Sequence, residues 1–134
     1  MSPDRGLLDT SVVVGREEVD VQRLPRESAI STLTLAELTC GPLATDDSGE
    51  RARRQELLQR IEANLEALPF DSSCARAMAS VGAATAVVGR KIGGSRKIDL
   101  MIAATALAYR LPLYTLNASD LKGLEGLVEV VDLG

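Results

Sequence analysis

Five side chains with oxygen donors carry the chemistry this sequence could perform: Asp9, Glu37, Asp99, Asn117 and Asp120. Asp9 closes the apolar run Leu7-Leu8, and Asn117 and Asp120 follow the apolar run that ends at Thr115. Glu37 shares a helical face with Leu33, Ala36 and Cys40 by three- and four-residue spacing, which predicts that it points to the interior rather than to water. Asp99 falls in the first turn of the most apolar helical stretch in the chain. Acids gathered in a partly desolvated cleft repel one another unless a cation neutralises them. Oxygen-only donors suit a hard ion such as Mg2+ or Mn2+, which activates water, orients a phosphodiester and stabilises developing charge. Singly, each acid has an ordinary explanation: a turn residue for Asp9, Asn117 and Asp120, a surface position for Glu37, a helix-dipole complement for Asp99. Their joint fall at strand ends is the signal.

The elements that must position them alternate. Short apolar runs end at Leu7-Leu8-Asp9, Ala29-Ile30-Ser31, Leu68-Pro69-Phe70, Pro112 to Thr115 and Val128 to Val131, and read as strands. Thr10-Ser11 reads as a turn after the first. Helical patterns lie between the strands: Leu33 to Leu38 up to the Gly41-Pro42 stop, a charged helix capped by Asp46-Asp47-Ser48 with Leu58, Ile61, Leu65 and Leu68 on one stripe, an alanine-rich helix from Asp71, and Lys97 to Tyr109. Leu100 to Ala108 is apolar almost all round, so that helix should be central and buried. A polar stretch ending in Leu24-Pro25 separates the first two strands. Strands more buried than striped, alternating with helices, predict an α/β fold: a three-layer α/β/α sandwich around a mainly parallel sheet. Functional residues in such sheets lie beyond the carboxyl ends of the strands.

A length of 134 residues fits one domain, taken here as residues 1–134, and the 46% apolar and 25% charged composition is that of a globular protein. The chain has no His and three aromatics, Phe70, Tyr109 and Tyr114, so a Ser-His relay, imidazole-held zinc and a base-stacking platform are excluded or nearly so. Fifteen basic and 19 acidic residues give a net charge of −4, which disfavours a general nucleic-acid binder. Cys40 and Cys74 read as buried thiols. The polar N-terminus and the short apolar stretch Met101 to Leu111 carry no targeting or spanning pattern, so a cytoplasmic location is expected.

Four ordered blocks, Leu7-Leu8-Asp9-Thr10-Ser11-Val12-Val13, Thr34-Leu35-Ala36-Glu37-Leu38, Asp99 to Leu107, and Leu113-Tyr114-Thr115-Leu116-Asn117-Ala118-Ser119-Asp120-Leu121, resemble the signature blocks of PIN-domain ribonucleases, and more narrowly of VapC-type toxins. The resemblance runs from Leu7 to Val131. It implies an α/β/α sandwich, divalent-metal-dependent endoribonuclease activity, a VapB-like antitoxin whose basic tail covers the carboxylates, and a homodimer built on a helical face. Carried over by position, Asp9, Glu37 and Asp99 match the metal-site acids. Asn117 stands where many members have Asp, and Asp120 is the second polar position of that block. Thr10 or Ser11, and Thr115, resemble the hydroxyl residues that line such sites. Leu116 departs from the Arg that related toxins frequently carry.

A basic patch offsets the acidic sum. Arg90, Lys91, Arg96 and Lys97 flank Gly93-Gly94-Ser95 just before Asp99 and could hold an RNA backbone, with Lys91, Arg96 and Lys97 as its substrate contacts. The loop lacks the Gly-Lys-Ser/Thr ending of an ATP-binding loop. With few aromatics, recognition by RNA shape and exposed phosphates is expected, which favours a structured RNA; the resemblance implies one of the transfer or ribosomal class. Rival readings are weaker: a receiver-like signalling module needs a late-strand lysine, and an aspartyl phosphatase needs an acid two residues after Asp9. A catalytically inactive PIN-like interaction domain is the alternative that Asn117 and Leu116 leave open.

Overall fold

The computed structural model describes residues 4–94 and 96–134, so Ser95 of the basic loop lies outside the described residues. Five strands, β1 (Arg5–Leu8), β2 (Glu27–Ser31), β3 (Glu66–Leu68), β4 (Leu113–Thr115) and β5 (Val130–Asp132), pair in parallel in the order β3-β2-β1-β4-β5. The helices are α1 (Thr10–Val14), α2 (Thr32–Cys40), α3 (Ser48–Asn64), α4 (Ser72–Val87) and α5 (Arg96–Tyr109).

Successive strand residues face opposite ways, and the burial follows that alternation. Leu7, Ala29 and Leu113 enter one core with Val81 of α4 and Leu100, Ile102, Ala103 and Ala106 of α5. Leu8, Ile30 and Tyr114 enter the other with Val12 and Val13 of α1 and Leu58 and Ile61 of α3. This is the three-layer α/β/α sandwich expected from the sequence. The chain steps from β1 outward to β3 and then crosses back to β4, and right-handed crossovers put the helices of the two legs on opposite faces. The reversal makes β1 and β4 the switch point of the sheet, beyond whose carboxyl ends a site can open.

Caps fix several boundaries. Asp47 Oδ2 accepts from Glu50 N at 2.8 Å at the start of α3, and Asp71 Oδ1 accepts from Cys74 N at 3.1 Å at the start of α4. That N–H bond holds the Asp71 carboxyl below its usual range. The Gly15 to Leu24 segment forms two short 3-10 turns, Arg16–Glu18 and Val21–Arg23, after a first helix of only five residues.

Other expectations need correction. Thr10 and Ser11 are the opening residues of α1 rather than a turn, because Asp9 takes the extended N-cap conformation. Leu65 and Leu68 match the α3 stripe only by number: α3 ends at Asn64, Leu65 is extended, and Leu68 reaches the core from β3. That strand spans Glu66–Leu68 and not Leu68-Pro69-Phe70, since Pro69 has no N–H for the ladder. Val128 is buried in a turn, its N–H on Leu124 O at 3.0 Å, and β5 begins two residues later. Cys74 is buried as expected, but Cys40 is exposed, because Thr34 and Leu38 form the buried face of α2. No helix among the described residues is long and apolar enough to cross a membrane.

Candidate functional site

Asp9 follows β1 directly and occupies the N-cap of α1, yet its carboxylate makes no cap bond. Ser31, Asp47 and Asp71 do spend their side chains on caps. Instead Ser11 Oγ and Thr115 Oγ1 both donate to Asp9 Oδ2, at 2.7 and 3.0 Å. Backbone N–H groups set the direction: Leu116 N donates to Ser11 Oγ at 3.1 Å and Asn117 N to Thr115 Oγ1 at 3.0 Å, so each hydroxyl passes its own hydrogen to the carboxylate. The end of β4 and the start of α1 are thereby fastened to one oxygen of a residue that is 9% exposed. Among the described residues, Oδ1 accepts no hydrogen bond and no buried side-chain oxygen is without a partner, so Oδ1 is the accessible oxygen.

Glu37 lies on the exposed side of α2, contrary to the inward face expected from its spacing with Leu33, Ala36 and Cys40. The helix lies across the end of the sheet, with Leu33 packed on one core and Leu38 on the other, so its inner face is Thr34 and Leu38. Glu37 is nevertheless fixed, because Thr10 Oγ1 donates to its Oε1 at 2.7 Å. Thr10 in turn bonds Thr34 Oγ1 at 2.9 Å.

Asp99, half-buried in the first turn of α5, has its carboxyl pushed up to about 6, first by burial and then by the negative charges of Asp9, Glu37 and Asp120, with Arg96 pulling the other way. A carboxylate that merely complemented the helix dipole would be stabilised in its charged form, so the upward shift marks burial, with neighbouring acids adding to it. Arg96 Nη1 donates to the backbone carbonyl of Asp120 at 3.0 Å, tying the start of α5 to the 3-10 turn Ala118–Leu121. That turn brings the charge of Asp120 to the cluster, whereas Asn117 is exposed and its side chain makes no cap bond. Lys91, in the basic loop, and Lys97, in the first turn of α5, are both exposed.

The donor chemistry fits a hard divalent cation: oxygen donors only, with mutual repulsion that a cation would relieve. As placed, no three Asp, Glu or Cys side chains among the described residues stand close enough to ligate one ion. Beside Thr10 and Glu37 opens a groove of about 570 Å³, floored by Val14, Val21, Leu38 and Leu57 and edged by Arg53 and Arg60. Volume alone does not mark chemistry, since another hollow of about 450 Å³ lies at the amino ends of β1, β2 and β3, beside Arg5, Glu27 and Glu66, and shares Arg16 and Val21 with the first.

The fold therefore sets Asp9, Glu37 and Asp120 within electrostatic reach of Asp99 near the carboxyl ends of β1, β2 and β4, without bringing three of the carboxylates to one point. It gives Ser11, Thr115 and Thr10 carboxylates to hold. Thr34 is the residue that reading for charge passed over, although it lies three positions before Glu37 on the same helix.

Residues 6–122 match the family model described as PIN domain. The chain is 36% identical over 132 residues to Ribonuclease VapC5 of Mycobacterium tuberculosis, covering 96% of this chain and 94% of the other, and 35% identical over 103 residues to Ribonuclease VapC8 of the same organism, covering 75% and 89%. Its fold superposes with a TM-score of 0.83 on the crystal structure of VapBC-5, a member of the VapBC family of toxin-antitoxin systems from M. tuberculosis, at 36% identity and 98% coverage of both chains. A second solved structure, VapBC2 from Rickettsia felis bound to a DNA fragment from their promoter, superposes with a TM-score of 0.76 at 21% identity over 97% of this chain and 99% of the other, a likeness of fold alone.

Proposed function

The chain belongs to the PIN-domain family, and from that premise we propose that it is a VapC-type toxin: an endoribonuclease that hydrolyses structured RNA, of the transfer or ribosomal class, with a bound Mg2+ or Mn2+. The observation that carries this reading is the Asp9 carboxylate at the end of β1, held through one oxygen by Ser11 and Thr115 with the other left open; the raised carboxyl of half-buried Asp99 supports it.

Asp9, Glu37 and Asp99 would hold the cation, and Asp120 would add charge beside them. A divalent ion there supplies an activated water and charge stabilisation on the phosphoryl oxygens. Ser11 and Thr115 orient Asp9 through its Oδ2, leaving Oδ1 for the reaction centre. Asn117 offers a neutral oxygen at the rim. Arg96 places a positive charge at the edge of the acids, and Lys91 and Lys97 contact flanking phosphates, which positions the RNA without reading its sequence. Tyr114 is buried, so base stacking contributes little and RNA shape dominates.

The partner is a VapB-like antitoxin. Its amphipathic segment takes the groove beside Glu37, where Val14 and Val21 are 64% and 68% exposed. The toxin itself pairs as a homodimer and acts in the cytoplasm.

The test is incubation of the purified, antitoxin-free chain with total cellular RNA in Mg2+ or in EDTA, with the cleavage ends mapped. Discrete cleavage that needs the metal supports the enzyme. Intact RNA together with no Mg2+ or Mn2+ binding by calorimetry would instead favour a catalytically inactive interaction domain.

A further inference from the structure

Three threonines that lie beyond the first turn of their helices share one habit. Thr39, Thr85 and Thr105 each donate to the carbonyl four residues back, on Leu35, Val81 and Met101, at 2.8 to 2.9 Å. Thr34 does not. The residue four positions before it is Ile30, a β2 residue outside the helix, and the Thr34 hydroxyl meets Thr10 Oγ1 instead, at 2.9 Å. The direction of that bond follows from the next one. Ionised Glu37 can only accept, so the single hydrogen of Thr10 goes to Glu37 Oε1, and Thr34 must be the donor to Thr10.

We infer that Thr34 is a positioning residue of the acidic centre: its buried hydroxyl donates to Thr10 and so commits the Thr10 hydrogen to Glu37. Thr34 is 0% exposed and lies three residues from Glu37 on the same helix, whereas Glu37 is exposed and its side chain has three rotatable bonds to restrain. A hydroxyl alone can turn its hydrogen toward any neighbour. Thr10 cannot, because a donor already occupies its oxygen from the buried side. Hydrogen bonds in series polarise one another, and the last in this series reaches a charge. The pattern repeats what Leu116 N and Asn117 N do for Asp9 through Ser11 and Thr115, with a side chain in place of the backbone donor.

The consequence for cation binding rests on the proposed metal-dependent reading; the coupling of Thr34 to Glu37 does not. The experiment compares Thr34→Val, which keeps shape and loses the hydroxyl, with Thr34→Ser, which keeps the hydroxyl. By calorimetry on the full chain, Thr34→Val should weaken Mn2+ binding about tenfold while Thr34→Ser stays within about twofold of the parent. On RNA the loss should fall on kcat, with KM changed less than about twofold. Equal Mn2+ affinity in parent and Thr34→Val would overturn the inference. If the parent binds no Mn2+, the metal reading fails, and a double-mutant cycle of Thr34→Val with Glu37→Ala on the urea midpoint of the metal-free chain decides the coupling. Non-additive midpoint shifts support it, and additive ones overturn it.

Discussion

Asp9 and Asp99 are both acids at the end of one sheet, but their surroundings divide their roles. Asp9 accepts two hydroxyl hydrogens on one oxygen, so its orientation is fixed in the absence of any ion. Asp99 has burial and three like charges against it. Asp9→Asn should keep the fold and lower RNA cleavage at least about a hundredfold, read as initial rates at saturating Mg2+, since outer partners alone are worth ten- to a hundredfold. Asp99→Asn should have the opposite effect on stability in EDTA. A folded-state carboxyl raised from 3.8 to about 6 costs stability above pH 6, and the cost is relieved as pH falls through 6 and vanishes below about 4. Because the side chain is half in solvent, the gain for Asp99→Asn at pH 7 is about 1 kcal/mol, a rise of about 3–5 °C in Tm that disappears near pH 4. An unchanged or lowered Tm at pH 7 would contradict the crowding of charge at Asp99.

At the scale of elements, the site depends on how closely β1 and β4 approach. A Cβ on Gly6 of β1 would run into the Cε1 of Tyr114, a wholly buried side chain of β4, and would also meet Pro25 Cγ at 3.0 Å. The ring cannot retreat without opening the core that it shares with Ile30 and Ile61. Gly6→Ala should therefore cost about 2 kcal/mol by urea unfolding and reduce cleavage as well, since Asp9 and Thr115 are carried by these two strands. Gly123 poses a similar constraint on α4: its φ is +98° and a Cβ would sit 3.0 Å from both methyls of Val88. The same scale explains where periodicity misled. Ile61, Leu65 and Leu68 keep helical spacing, yet the helix ends between the first and second, because the edge of β2 pairs with Glu66–Leu68. A stripe in sequence records which residues are buried, not which element buries them.

For the whole molecule, the net charge of −4 conceals a division. Acids lie at the carboxyl end of the sheet, and the basic loop lies at the entrance to α5. Arg96 differs from its neighbours, since its guanidinium is fastened to Asp120 O while Lys91 and Lys97 are exposed. Lys91→Ala with Lys97→Ala should therefore weaken RNA binding and flatten its dependence on log salt by roughly 0.7 per lost phosphate contact, with kcat retained. Arg96→Ala should lower kcat too, because it loosens the turn that carries Asp120. A salt slope unchanged in the double variant would remove the loop from the RNA path. On the other side of the acids, a charge placed in the apolar groove, as in Val14→Glu, should weaken capture of the antitoxin in a pull-down while RNA cleavage by the free toxin persists.

The sequence alone determined the layered α/β plan and the positions of the acids, because both follow from local pattern: buried runs make strands, and a residue after a strand lies at its end. The family resemblance carried by the four blocks was legible there too, and the match over residues 6–122 agrees with it. Three things waited for tertiary structure. The exposed face of Glu37 depends on how α2 lies across the sheet, which its own spacing does not encode. The resemblance pointed to Thr10, Ser11 and Thr115 as site-lining hydroxyls, but which carboxylate each one holds depends on contacts across as many as 106 residues, and bonds of that separation leave no local signature. Thr34 was hidden for a plainer reason: a buried threonine on a helix normally bonds its own backbone, and only the strand beneath Thr34 frees it to reach Thr10.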